Sequence, residues 1–245
     1  MTTLIDSRDG VAVAVHDFGG AGRPTTFVAG TGLCAGMWEP IVARLPARPE
    51  SAGAKPLRAT VVEVTIEQAA GRVPVIVHCA AQSTTETVSW ARHAYEHGAA
   101  GLMCVPPWYS PPTEEETYQH YKAISDAVPL DIMLYNIPAH SGFLFTPEFT
   151  ARIAELEHCR YMKDSSGDFR GLQSLMMAAG DKVTIFNGID DLAFQAFASG
   201  TPGTVWGAVN VMPAECVKLF ELVYEQKDIR AGWDLWKRMW PVGKW

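Results

Sequence analysis

Lys163 and Tyr135 are the two side chains whose types and placement could perform covalent chemistry together in this sequence. Lys163 follows the apolar Tyr161-Met162 and precedes the turn-forming Asp164-Ser165-Ser166-Gly167-Asp168, so it reads as the C-terminal end of a strand. Burial penalises an ammonium, and a free amine held at such an end can attack a carbonyl carbon to form a Schiff base. Tyr135 opens Tyr135-Asn136-Ile137-Pro138 at the end of the preceding apolar run, 28 residues earlier. If the two runs are adjacent parallel strands, the phenol lies beside the amine and can move protons as a carbinolamine loses water. By position alone, a lysine there more often reaches solvent or pairs with Asp164. A tyrosine in an apolar strand is more often a core residue with a hydrogen-bonded tip.

The elements that must hold this pair alternate along the chain. Short apolar runs occur at Val73–Cys79, Gly101–Val105, Asp131–Ile137, Arg160–Lys163, Val183–Phe186 and Gly203–Ala208, most of them bounded by Gly, Pro or Asp. Between them lie helix-like stretches at Thr84–His97, Glu114–Ala127, Pro147–Leu156, Gly171–Ala179, Leu192–Ser199 and Pro213–Tyr224. Ser83 or Thr84 caps the first, and a proline at a tolerated position begins the last. Strand and helix in alternation, with short connections, predict an α/β fold with parallel strands and crossover helices. Such folds gather catalytic groups at strand C-termini, and eight units are needed to close a barrel of the TIM (β/α)8 type. Val11–Phe18 and Thr25–Gly30 are the candidates for the first two strands, followed by a helix-like Met37–Leu45. Residues 46–56 are rich in Pro, Ala and Gly and read as a junction, and the atypical stretch 1–59 is set apart from a barrel domain at 60–245.

Composition removes several function classes. The 245 residues are 48% hydrophobic and 19% charged, as in an ordinary globular enzyme. Twenty basic against 27 acidic residues give a net charge of −7 with no Lys/Arg cluster, which excludes the electrostatic footprint of a nucleic-acid binder. No apolar run is long enough to span a bilayer, and the N-terminus has no signal-like pattern. Five cysteines, Cys34, Cys79, Cys104, Cys159 and Cys216, are widely spaced and form no C-x-x-C pair, which reads as buried reduced thiols of a cytoplasmic protein. Seven histidines are scattered without an H-E-x-x-H motif, so no metal is expected. Asp190 and Asp191 are expected to cap the helix at Leu192–Ser199. Trp233, Trp236, Trp240 and Trp245 fall at roughly helical spacing and form one amphipathic face, available for association.

Taken together, Y-N-I-P at Tyr135–Pro138, K-D-S-S-G-D at Lys163–Asp168, F-N-G-I-D-D at Phe186–Asp191 and G-T-P-G-T-V-W-G-A-V-N at Gly200–Asn210 resemble the dihydrodipicolinate synthase/N-acetylneuraminate lyase family. Upstream, G-R-V-P-V-I-V-H at Gly71–His78 and P-P-W-Y-S-P-P at Pro106–Pro112 extend the resemblance over Thr60–Val242. It implies a class I aldolase or lyase in a TIM barrel that needs no cofactor, binds pyruvate or another 2-oxo acid as a Schiff base, and joins it to or releases it from an aldehyde. In that reading Lys163 is the imine-forming lysine and Tyr135 the proton relay. Tyr109 is the tyrosine that completes the relay across the interface of a homo-oligomer. Gly188 and Val205 line the 2-oxo acid pocket. His140 stands where dihydrodipicolinate synthases carry an arginine for the aldehyde's carboxylate, which argues against that aldehyde; otherwise it is a solvated loop residue.

The resemblance departs from the family at the second strand, where G-T-T-G-E would hold the pyruvate carboxylate. The nearest string here is Gly30-Thr31-Gly32-Leu33-Cys34, which offers Thr31 alone. Residues 1–45 instead resemble the opening of an α/β-hydrolase, with Ala29 where the H-G-x-G loop has its histidine, and the chain contains no G-x-S-x-G elbow. Gly30–Gly36 also follows a strand-like run, but its G-x-G-x-x-x-G spacing differs from that of a dinucleotide loop. The alternative to an active aldolase is therefore a hybrid or remnant of the family, impaired because its pyruvate site is incomplete.

Overall fold

The computed structural model describes the backbone of Thr2–Asp6, Ala12–His16 and Thr26–Val28, and the chain over residues 57–243. A six-stranded parallel sheet carries the fold. Its strands are β3 (Thr26–Val28), β4 (Val75–His78), β5 (Gly101–Cys104), β6 (Ile132–Asn136), β7 (Cys159–Asp164) and β8 (Thr184–Asn187), and they neighbour one another in chain order. Consecutive parallel neighbours require a crossover, and helices supply it. Among them are α1 (Leu57–Ala69), α2 (Thr84–Glu96), α3 (Glu114–Ala127), α4 (Pro138–Ser141), α5 (Pro147–Ile153) and α6 (Phe169–Ala179).

Local chemistry fixes where these helices begin. The Ser83 hydroxyl accepts from Glu86 N–H at 3.2 Å. Thr113 and Glu116 form a reciprocal capping box, and Thr146 caps α5 just ahead of Pro147. Each cap satisfies amides that the first turn leaves without an intrahelical partner.

Period-two alternation along the strands separates two apolar layers. Val75, Val77, Leu102, Cys104, Ile132, Leu134, Met162 and Ile185 point outward into the main core, where they join helix residues such as Ala91, Tyr121, Ile124, Phe149 and Leu172. The intervening residues Met103, Met133 and Tyr135 turn to the opposite face, where they cluster with Ala80, Val105, Ile137 and Val205. A sheet apolar on both faces needs cover on both, and the second face here forms a small interior of its own. Cys79, Cys104, Cys159 and Cys216 are all buried and free, and desolvation pushes Cys79, Cys159 and Cys216 up to about 12. Cys34 lies outside the described residues.

Three expectations from the sequence need correction. Val11–Phe18 was a candidate barrel strand, but its described part, β2 (Ala12–His16), pairs antiparallel with β1 (Thr2–Asp6) in a separate two-stranded sheet. The connection from Asp6 to Ala12 is too short for the crossover that parallel neighbours require. Gly203–Ala208 is a single parallel bridge from Thr204 to Asn187 and not a full strand. There Gly203 passes so close to Phe186 that an added Cβ would lie 2.5 Å from its ring. Asp190 does not cap the helix that follows it: its carboxylate accepts from Gly207 N–H at 3.1 Å and Ala208 N–H at 2.6 Å, tying the loop after β8 to the segment beyond Thr204. The expected strand Thr25–Gly30 is seen as β3, parallel to β4 at the edge of the sheet. The helix-like Met37–Leu45, the junction at 46–56 and Trp245 lie outside the described residues.

The tryptophan face is partly covered. In α9 (Ile229–Gly243; α7 is Ala193–Ala198 and α8 is Pro213–Phe220), Trp236 is buried near Phe194 and Trp206, whereas Trp233 and Trp240 keep a large exposed share.

Candidate active site

The register of β6 on β7 places Tyr135 directly opposite Lys163. Both strands present these residues on the sheet's inner face, by the same alternation that sends Leu134 and Met162 into the helix-packed core. The result is a contact: Lys163 Nζ donates to Tyr135 Oη at 3.2 Å and lies 4.2 Å from the ring centre. A cation over the face of a phenol is attracted by the ring quadrupole, which helps hold the amine in position.

One residue further along, a polar lock pins the same two strands. Asn136 Nδ2 donates to Asp164 Oδ1 at 2.6 Å, and Asn136 Oδ1 accepts from Phe145 N–H. Ser166 Oγ donates to Asp164 Oδ2 at 3.0 Å. Burial raises the pKa of Asp164, and its hydrogen bonds from Ser166 and Asn136 pull the other way. The reading in which Asp164 serves as the partner of Lys163 gives way to this arrangement, in which Asp164 aligns β7 with β6.

Gly188 follows β8 and closes over the lysine stem. Its N–H donates to Asp164 O at 2.7 Å, and its carbonyl accepts from Ser165 Oγ at 3.0 Å. A Cβ at this position would lie 2.1 Å from Ser165 Oγ and 2.7 Å from Lys163 Cε. Glycine is therefore a steric requirement here. Val205, whose N–H donates to Asn187 O, packs in the apolar cluster that contains Tyr135.

A residue without an assigned role in the sequence analysis joins the pair. His78 ends β4, and its ring stands edge-on to Tyr135 with centroids 6.0 Å apart. Its Nε2 is buried and lacks a hydrogen-bond partner among the described residues. Burial, then the charges of Arg58 and Lys163, lower its pKa to about 3, so the imidazole is neutral near pH 7. The guanidinium of Arg58, from α1, donates to the carbonyls of His78 and Ala80 at 2.8 Å each and so fixes the end of β4. The available signal was a lone polar residue closing the apolar run at Val73–Cys79.

This neutrality has a measurable consequence. His120, in α3, is also held low, to about 4, by burial. An unfolded imidazole takes up a proton near pH 6.5, whereas the folded ones do so only near 3 and 4. Between these values the unfolded state binds more protons. The contribution is complete above pH 6.5 and declines as pH falls, by up to about 1.4 kcal/mol per pH unit for each histidine. Denaturant unfolding at a series of pH values between 7 and 4.5 is expected to show this decline, and His120→Gln is expected to make it shallower.

The other sequence-predicted residues sit apart from the pair or cannot be placed. Tyr109 is 90% exposed, and its N–H donates to Gln82 Oε1. His140, in α4, is exposed. Thr31 lies outside the described residues. The structure thus brings together Lys163, Tyr135, Gly188 and Val205, adds His78, and leaves Tyr109 and His140 on the surface. Chemically, the described residues set an amine beside a phenol against an apolar cluster, with a neutral imidazole close by.

A family model described as the Dihydrodipicolinate synthetase family matches residues 56–245. The chain is 37% identical over 165 residues to a 4-hydroxy-tetrahydrodipicolinate synthase of Pelobacter propionicus, covering 67% of this chain and 57% of that protein. A protein of the same name from Thermomicrobium roseum is 40% identical over 184 residues, covering 75% and 61%. Among solved structures, the dihydrodipicolinate synthase of Thermotoga maritima superposes with a TM-score of 0.72 at 31% identity, covering 76% of this chain and 64% of that one. The chloride-inhibited enzyme of Acinetobacter baumannii, complexed with pyruvate, superposes with a TM-score of 0.73 at 29% identity over the same shares. The chain therefore spans less than two thirds of the length of these relatives. The match begins at residue 56, so the stretch 1–45 lies outside it, and these findings do not support the expected likeness of that stretch to an α/β-hydrolase.

Proposed function

Because the chain belongs to the dihydrodipicolinate synthetase family, we propose that it is a Schiff-base-forming aldolase or lyase acting on pyruvate or a related 2-oxo acid. The observation that carries this reading is Lys163 Nζ at 3.2 Å from Tyr135 Oη on the inner face of the sheet. The unprotonated amine attacks the keto carbon, and the phenol passes a proton to the oxygen so that water leaves the carbinolamine. Loss of a C3 proton from the resulting iminium gives an enamine, whose carbon attacks an aldehyde; cleavage runs the same steps backwards. Hydrolysis of the product imine returns the lysine. Gly188 leaves room for the lysine stem, Val205 and the methionines keep the interior apolar, and the buried Nε2 of His78 offers a hydrogen bond to a polar substrate atom. Thr31 and His140 are the proposed contacts to carboxylates, and Tyr109 the proposed relay member across a second copy of the chain.

The test is the dependence of imine formation on pyruvate concentration, followed by borohydride reduction. A competent site saturates. Formation that stays linear in pyruvate would favour the impaired hybrid, whose motivation is the missing G-T-T-G-E.

Gly188→Ala probes the steric requirement. The added methyl overlaps Ser165 Oγ and the lysine stem, so the amine must move. A displacement of about 1 Å from productive geometry can cost roughly 10²-fold in rate. The expected result is a loss of about that size in the rate of borohydride-trapped imine, measured on protein whose circular dichroism matches the parent.

A further inference from the structure

The structure assigns a second site, remote from the lysine, to a borderline divalent transition-metal cation such as Zn2+, held by Glu63, His93 and His97. Glu63 projects from α1, His93 lies in the last turn of α2, and His97 caps that helix. One ligand atom from each lies within 4.8 Å of the other two. Glu63 Oε1 is 3.2 Å from His93 Nε2 and 3.4 Å from His97 Nε2.

Hydrogen bonding elsewhere in the cluster shows why these atoms look toward a cation. His97 Nδ1 lies 2.8 Å from His93 O, and a carbonyl only accepts, so Nδ1 carries the proton. In the neutral ring, Nε2 then presents a lone pair toward Glu63. A backbone carbonyl fixing the tautomer of a histidine in this way is the usual support of a metal ligand. His93 Nε2 is buried, and its 3.2 Å approach to Glu63 lacks hydrogen-bond geometry. A carboxylate oxygen and two ring nitrogens that converge at such distances are held together either by a proton on a ring or by a cation bound among them. Ligands at about 2.0–2.1 Å in a tetrahedron stand roughly 3.3 Å apart, which is the spacing seen between the carboxylate and each ring. Two imidazoles and one carboxylate suit Zn2+ and its neighbours over Mg2+ or Ca2+, which prefer all-oxygen shells. The i,i+4 spacing of the histidines puts both on one helix face, as in helical zinc motifs.

His97 is the exposed member of the three, which leaves a route for the ion and a coordination position for water. The ion would fasten α1, the first helix of the family-matched region, to α2 across the outside of the sheet. The linear sequence hides this arrangement because the acid lies 30 residues before the nearer histidine, on another helix.

The test titrates Co2+, and separately Zn2+, into the chelator-treated, tag-free full chain. The expected result is a visible Co2+ absorption band that saturates at one ion per chain and is bleached by Zn2+, together with a rise in melting temperature on adding Zn2+. His97→Gln, at the exposed position, and Glu63→Gln should each weaken binding at least about tenfold and remove the thermal shift. His140→Gln, a histidine outside the cluster, should leave both unchanged. Absence of Co2+ binding by the parent chain, or equal binding by parent and His97→Gln, would overturn the assignment in favour of a simple imidazolium–carboxylate ion pair. Imine trapping at Lys163 is read separately, so failure of one proposal leaves the other standing.

Discussion

Lys163→Met is expected to abolish pyruvate-dependent imine formation and to lower turnover by at least about 10³-fold, because it removes the nucleophile itself. Methionine fills the space of the lysine stem without an amine, so the strand should keep its place between Asn136–Asp164 and Gly188. Lys163→Arg keeps the charge yet supplies no nucleophile at working pH, and it should be equally inactive. If arginine retained activity, the amine would be serving as a positive charge only. The methionine variant also carries a readout independent of turnover. The Lys163 charge is one of the influences that depress His78, after burial and Arg58. Removing it should raise the pKa of His78 from about 3, seen as a shifted ring titration by NMR.

Tyr135→Phe is expected to slow imine formation by about 10² to 10⁴-fold, the usual range for a positioned acid–base group. Phenylalanine preserves the ring beneath Lys163 Nζ and the edge contact with His78, and removes only the hydroxyl at 3.2 Å. Single-turnover trapping should show a slow approach to nearly the same final extent of imine. In steady state, kcat should fall with little change in KM, as expected when an interaction made in the transition state is lost. A variant that bound pyruvate weakly yet reacted at the parental rate would reassign Tyr135 from proton transfer to binding.

The alternation of strand and helix after residue 60 was readable because apolar runs and caps are local signals. Ser83 and Pro213 mark helix starts in the sequence and do so in the structure. The spacing from Tyr135 to Lys163 was equally visible, since one helical crossover between adjacent strands fixes it. What a linear reading missed depends on pairing across distance. The Asn136–Asp164 lock has the same 28-residue offset as the tyrosine–lysine pair, but its meaning emerges only once the strands are in register. Asp190 looked like the cap of the next helix because adjacency in sequence favoured it, whereas its amide partners lie 17 and 18 residues downstream. Ala12–His16 has the alternation of a strand, which says nothing of its partner; the short connection to Thr2–Asp6 decides that. The helix Leu57–Ala69 carries little amphipathic signal, so nothing in its sequence pattern points to Glu63 as a neighbour of His93 and His97.

Every step proposed at this site depends on a covalent bond formed by Lys163. Incubation with pyruvate and borohydride, proteolysis, and mass mapping of the reduced adduct test it most directly. One modified residue is expected, Lys163, with labelling lost in Lys163→Met. A folded chain that acquires no adduct, or that carries it on another lysine, would contradict it.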